Sequence, residues 1–344
     1  MSHLTSPFLM SKLKAGAYRL MPGIALASFV AMSAQFVAEH TGYPTMLMAL
    51  LFGMVLNFVL DEPENRFFPG VQFSAKTILK IGIVLLGARI GFNMFADLGA
   101  TLLLGLAAAI ISTIAFGLIL GRMLGKTAEF SILTAGSVSI CGASAALAIS
   151  SVLPEDKEAE RNLTYTILAV TVLSTIAMIL YPILFKALGL TDVQSGRLIG
   201  STIHDVAQVV GAGFSISNET GEIATLVKLI RVSFLAPVVI VISLIFRSKL
   251  NAGSSGKKPP ILPLFVVGFL ALACLNSFGF IFQSVSEVSI VLSKMALVVA
   301  IAAVGIRTSL KEFLKHGSKG LILLISETVF LFVFMFAVVI LSQV

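Results

Sequence analysis

Eleven predominantly apolar stretches follow one another along this 344-residue chain. Each is close to the roughly 20 residues that a helix needs to cross about 30 Å of hydrocarbon. They lie near 20–38, 44–60, 72–91, 97–121, 127–151, 161–187, 194–216, 222–247, 259–280, 285–306 and 318–342. The runs are continuous and rich in Leu, Ile, Ala and Val, whereas barrel strands alternate in hydropathy over about ten residues. The expected fold class is therefore all-α membrane, a polytopic bundle of about 11 transmembrane helices. With 57% hydrophobic and 12% charged residues, the chain could not hide its apolar surface in one water-soluble core, since soluble domains carry about a quarter charged residues.

Positive charge orients the bundle. With the N-terminus in the cytoplasm, the loops on that side carry Lys12, Lys14, Arg19, Arg66, Arg122, Lys126, Lys186, Arg197, Arg247, Lys249, Lys257, Lys258, Arg307, Lys311, Lys315 and Lys319, or 16 of the 24 basic residues. The opposite side receives Arg89, Lys157 and Arg161. Such a split is what the positive-inside rule expects, and it favours a count of eleven with the C-terminus outside. Loop charge of this kind accounts for the net charge of +7 without a nucleic-acid partner. Cys141 and Cys274 both fall inside apolar runs and offer no metal or redox spacing. The first run has the basic start of a signal peptide and small residues, Ala31 and Ser33, near its end. The ten runs that follow make a retained helix the expected reading.

No polar segment is long enough to fold alone. Residues 1–19 read as a cytoplasmic N-terminal segment and 20–344 as a single transmembrane transporter domain, with a Ser, Gly, Lys and Pro linker near 247–260. The stretch from Lys76 to Gly99 echoes that from Lys294 to Gly317: a Lys near the start, Gly87-x-Arg89 or Gly305-x-Arg307 near the end, then Phe and a closing Gly. As third and tenth runs they would cross in opposite directions, the relation expected of an inverted repeat.

Two runs are poor as ordinary helices. The fifth places Gly136, Ser137, Ser139, Cys141, Gly142, Ala143 and Ser144 at mid-depth, and the seventh holds Gly200, Ser201, Thr202, His204, Asp205, Gln208, Gly211 and Gly213. Gly costs about 1 kcal/mol relative to Ala inside a helix, and a charge at mid-membrane at least about 2.5 kcal/mol. A helix interrupted at such a point frees backbone N–H groups at the start of its second half, where about half a positive charge receives an anion without a buried Arg. Small residues also serve close helix packing, and for the fifth run both readings stand. The adjacent His204 and Asp205, with Gln208 one turn from His204, favour function: a His can titrate near neutral pH, and an Asp can hold a proton or a cation. Lys228 and Arg231 read as snorkelling from a helix end, while Lys80 and Lys294 sit deeper, where they could pair with an acid or a phosphate-like substrate. No Gly-x-Ser-x-Gly, His-Glu-x-x-His or nucleotide loop is present, so an enzyme, a bound cofactor and ATP-driven pumping are not expected.

From Gly200 to Gly213 the segment GSTIHDVAQVVGAG resembles the bacterial multi-pass membrane proteins catalogued as sulfate exporters, as do SICGASAA from Ser139 and IGIVLLGARI from Ile81. The resemblance covers almost the whole chain. It implies membership of the superfamily of cation/proton antiporters and anion transporters, with inverted repeats and discontinuous helices that cross near the midplane. One implication conflicts with the charge count. By charge the fifth and seventh runs point the same way, whereas crossed helices of inverted repeats point oppositely. Either one of them is re-entrant, or a partner lies elsewhere, the tenth run being a candidate.

The expected protein is thus a secondary transporter of the bacterial cytoplasmic membrane, moving a small anion (sulfate or a related sulfur oxyanion, sulfonate or carboxylate) by alternating access, with proton or cation coupling. Ser139, Cys141, Gly142, Ala143, Ser144, Ser201, Thr202, His204 and Gln208 would line the substrate, and His204 with Asp205 would couple the ion. Lipid is its surroundings, and a homo-oligomer is compatible with this reading. A channel or a non-transporting membrane scaffold is the alternative.

Overall fold

A computed structural model describes residues 7–60, 65–90, 92–154, 158–246, 264–308 and 318–341. The expected linker near 247–260, residues 1–6 and residues 309–317 of the Lys294–Gly317 echo lie outside them. All regular structure among the described residues is helical. Among the described residues seven helices are long and apolar enough to cross a membrane, and Thr45–Leu60, Val206–Ile216 and Leu264–Ser277 are shorter apolar helices.

The chain divides into two compact units. The first contains α1 (Pro7–Thr41), α2 (Thr45–Val55), α3 (Phe68–Phe73), α4 (Leu79–Leu86) and α14 (Gln283–Arg307). A π-helical turn, Ser74–Ile78, joins α3 to α4. In this unit α14 lies against both α2 and α4. Asn57 Nδ2 donates to Ile306 O at 2.8 Å, and Ser293 Oγ donates to Gly82 O at 2.6 Å. Small residues at the contacts, Gly53 against Gly305 and Gly82 against Leu297, let the backbones approach closely. The first parts of the two echoing segments, Lys76–Leu86 and Lys294–Thr308, therefore belong to one unit and pack on each other there. Lys80 is exposed on α4 and Lys294 half-buried on α14.

The second unit contains α5 (Phe92–Met123), α6 (Ala128–Ser139), α7 (Ala143–Ser150), α8 (Ala159–Ala187), α9 (Asp192–Thr202), α10 (Val206–Ile216), α11 (Asn218–Ser233), α12 (Leu235–Phe246), α13 (Leu264–Ser277) and α15 (Ser318–Leu341). The fifth and seventh apolar runs are each broken in two at the residues the sequence singles out, but neither passes straight through. Gly136 on α6 touches the Ile149 side chain on α7. Along a straight helix those residues would stand about 20 Å apart. Phe130, near the start of α6, stacks on Tyr165, near the start of α8, with centroids 6.3 Å apart. The chain has thus returned to its starting level before α8 begins, and α6–α7 is a hairpin.

The seventh run doubles back in the same way. Gly196 on α9 and Gly213 on α10 both lie against the start of α11: a Cβ at Gly196 would stand 2.8 Å from Ile223 Cβ, and one at Gly213 would stand 2.8 Å from Gly221 Cα. Gly200 meets Val227 further along, so α9 runs parallel to α11 and α10 antiparallel to it. Thr220 Oγ1 donates to Asp192 O at 3.1 Å, closing the open end. The expectation of two discontinuous helices crossing at midplane is corrected here: both segments are helical hairpins. Each opens on a side-chain cap. Thr127 accepts the Phe130 N–H, and Thr191 forms a capping box with Gln194.

Candidate functional site

The tips of the two hairpins, Ile140–Gly142 and Ile203–Asp205, meet. Gly142 has φ of 60°, and a Cβ there would stand 3.4 Å from His204 Cβ. The left-handed backbone turns the chain sharply between α6 and α7, and glycine adopts it without steric cost. The backbone N–H groups of His204 and Asp205 both donate to Ser174 Oγ on α8, at 3.1 and 2.9 Å. The His204 ring spans two elements, with Nδ1 3.2 Å from Val138 O and Nε2 3.1 Å from Thr328 Oγ1.

The last carbonyls of a helix have no intrahelical partner and carry about half a negative charge. Here both sets, from α6 and α9, point at two fully buried cations on α11. Lys228 Nζ donates to Ile140 O at 2.9 Å and to Ile203 O at 2.8 Å. Arg231 donates from Nε to Ser139 O at 2.6 Å and from Nη1 to Ser201 O at 2.7 Å, and Nη2 also reaches Val138 O. These residues do not snorkel. Their long side chains end inside the protein and tie one tip to the other, 88 and 25 positions away in sequence for Lys228.

The charge near the tips follows. Two carbonyl ends contribute about one negative charge, and the N-terminal ends of α7 and α10 about one positive charge. Lys228 and Arg231 add two positive charges and Asp205 one negative. The sum leaves about one positive charge, which suits an anion better than a cation.

The residues singled out from the sequence fall into two groups. Ala143 and Asp205 are half-buried and Ser144 is exposed, all at the N-terminal ends of the second arms. There the first-turn N–H groups have no intrahelical acceptor. Ser139, Ser201 and Thr202 are buried, and their hydroxyls donate to carbonyls of their own helices: Gly136, Leu198 and Leu198. Thr202 is also bonded to Tyr181. Cys141 is buried with its sulfur against the Ala145 N–H. Gln208 is buried, with Nε2 3.4 Å from Thr175 Oγ1 and Oε1 without a hydrogen-bond partner. The sequence reading took Lys228 and Arg231 for snorkelling side chains and passed over Glu327. The available signal was two cations one helical turn apart in a run otherwise fit to cross a membrane, and a lone carboxyl in another.

Comparison with known proteins agrees with the membrane reading. Residues 20–324 match the family model described as conserved hypothetical protein 698. The UPF0324 membrane protein TauZ of Paracoccus denitrificans is 54% identical over 314 residues, covering 91% of this chain and 93% of that one. The UPF0324 membrane protein RB0971 of Rhizobium meliloti is 50% identical over 92% of this chain and 91% of its own length. The corresponding protein CT0845 of Chlorobaculum tepidum is 44% identical over 91% and 87%. No solved structure matches.

Proposed function

We propose that this chain, which belongs to the family of conserved hypothetical protein 698 and so to the UPF0324 membrane proteins, is a secondary transporter of a small anion in the cytoplasmic membrane. The observation that carries this reading is the meeting of the two hairpin tips. Their carbonyl ends are neutralised by Lys228 and Arg231, while the N-terminal ends of α7 and α10 remain for a ligand. The Ser144 hydroxyl and the backbone N–H groups of Ala143 and Ser144, at the start of α7, would donate to the anion. His204 and Asp205 would sit beside it and respond to a proton or cation.

On this reading the seven long apolar helices among the described residues, together with Thr45–Leu60 and Leu264–Ser277, would make nine crossings, and the two hairpins would enter from opposite faces. The first opens to the cytoplasm and the second to the outside. Each is followed by a long helix that runs parallel to its first arm, α8 or α11. Such an arrangement would supply the inverted repeat on which alternating access rests in carriers. The N-terminus is cytoplasmic and the C-terminus outside in this scheme.

Thermal unfolding in detergent against sulfate, sulfite, thiosulfate, small sulfonates and carboxylates tests the reading. A ligand at about 100 times its Kd adds about 2.7 kcal/mol, and Ser144→Ala should weaken the selective shift. Saturable flux of the stabilising anion in proteoliposomes completes the case. Absence of stabilisation by every anion, or flux that rises with gradient without saturating, refutes a carrier of this kind.

A further inference from the structure

One buried carboxyl takes no part in the tips. Glu327 on α15 is fully buried, with Oε1 3.0 Å from Thr134 Oγ1 on α6 and Oε2 without a hydrogen-bond partner. Thr134 Oγ1 also lies 3.1 Å from Ser131 O. A hydroxyl has one proton. When Thr134 gives it to that carbonyl, the second contact is a hydrogen bond only if Glu327 brings a proton of its own.

Among the described residues no cation lies within ion-pair distance of Glu327. The ion pairs among the described residues, Arg89 with Glu222 and Arg161 with Glu158, do not include Glu327. On α5 the facing residues are Gly117 and, one turn away, Thr113, whose buried hydroxyl likewise lacks a partner. On α6 it is Thr134. The α8 helix brings Tyr165 and Tyr181 to other levels of α15, at Gly320 and Phe332. The α9 helix carries Arg197 and leads to His204. An ionised carboxyl without a cation is among the costliest groups to hold inside a membrane protein, whereas its acid form is not.

We propose that Glu327 is a proton-binding site through which anion carriage is coupled to proton movement, an inference that rests on the transporter reading above. The residue next to it, Thr328, holds the His204 ring. Consecutive residues of α15 thus touch both hairpins: Glu327 the first through Thr134, Thr328 the second through His204. Loss of the proton to water breaks the carboxyl O–H bond and leaves a charge that this environment cannot hold. The deprotonated protein therefore favours an arrangement in which Glu327 meets water, and uptake of a proton restores the packed one.

Two variants and two readouts test this. Infrared spectra of the purified protein at neutral pH should contain the carbonyl stretch of a protonated carboxylic acid. That band should be lost in Glu327→Gln and shifted in Glu327→Asp. In proteoliposomes, an imposed pH gradient should accelerate sulfate flux in the wild type. In Glu327→Gln the acceleration should be lost while sulfate exchange continues, and Glu327→Asp should recover it in part. A Glu327→Gln spectrum that superimposes on the wild type, or unchanged gradient dependence in that variant, overturns the proposal. If Glu327→Gln does not fold, an unshifted band in Glu327→Asp overturns it equally. A band lost on substitution in a protein that moves none of sulfate, sulfite, thiosulfate, small sulfonates or carboxylates supports the proton site and removes the carrier reading instead.

Discussion

Replacing Lys228 with Met tests whether a buried cation joins the two hairpins. The substitution keeps the length and volume of the side chain and removes its charge. Two hydrogen bonds go, to Ile140 O at 2.9 Å and Ile203 O at 2.8 Å. A hydrogen bond to a charged group contributes about 1.5–3 kcal/mol net, and a carbonyl left without a partner costs about 1–3 kcal/mol. Against this, the ammonium no longer has to be stripped of water, which recovers several kcal/mol. Ile203 O also keeps Arg231 Nη1 at 3.3 Å. The expected net loss is about 2–4 kcal/mol, whereas Leu229→Met, one position along and also buried, should cost less than about 1.5 kcal/mol. Stability would be read by unfolding in detergent. A second readout comes from Cys141, buried in the first tip. In a protein whose Cys274 is replaced by Ser, Cys141 should resist N-ethylmaleimide in the wild type and react in Lys228→Met as the tips part. A variant as stable as wild type, with Cys141 still protected, would refute the idea that Lys228 ties the tips together.

Other perturbations reach the remaining parts of the argument. Single cysteines introduced at Ser151 and Leu188, both exposed, separate nine crossings from eleven: with two re-entrant hairpins, position 151 labels from the cytoplasm and 188 from outside, and the opposite pattern restores eleven. Gly142→Ala should cost about 1–2 kcal/mol because its φ of 60° is left-handed, and sulfate flux should fall with it; a neutral substitution would mean that the tip relaxes freely. His204→Ala removes the contacts to Val138 O and Thr328 and should lower flux more than expression, while a matched loss of both marks a structural role. Asp205→Asn should change the pH or ion dependence of flux, and an unchanged dependence in a folded variant removes Asp205 from coupling.

Local chemistry settled a good part of this protein. Apolar runs without alternation dictate membrane helices, because hydrocarbon leaves backbone groups no partner outside the helix. Gly and Ser clustered with His204 and Asp205 marked both interruptions, since such residues are expensive in an unbroken span. The direction of the chain after each interruption was not legible. A straight fifth and seventh run put Lys157 and Arg161 outside with Lys186 and Arg197 inside; two hairpins exchange the pairs and leave the split at 16 to 3. The charge rule therefore cannot tell the two topologies apart, and the two changes of direction cancel for every later loop. Only contacts between distant positions decide it, Gly136 with Ile149 and Asp192 with Thr220. The same holds for Lys228 and Arg231. In sequence they are basic residues in an apolar helix, with no acid nearby to announce a partner. Their partners are backbone carbonyls at the ends of α6 and α9, groups that every residue carries and no sequence pattern distinguishes, so their role exists only once tertiary packing has brought both tips to α11.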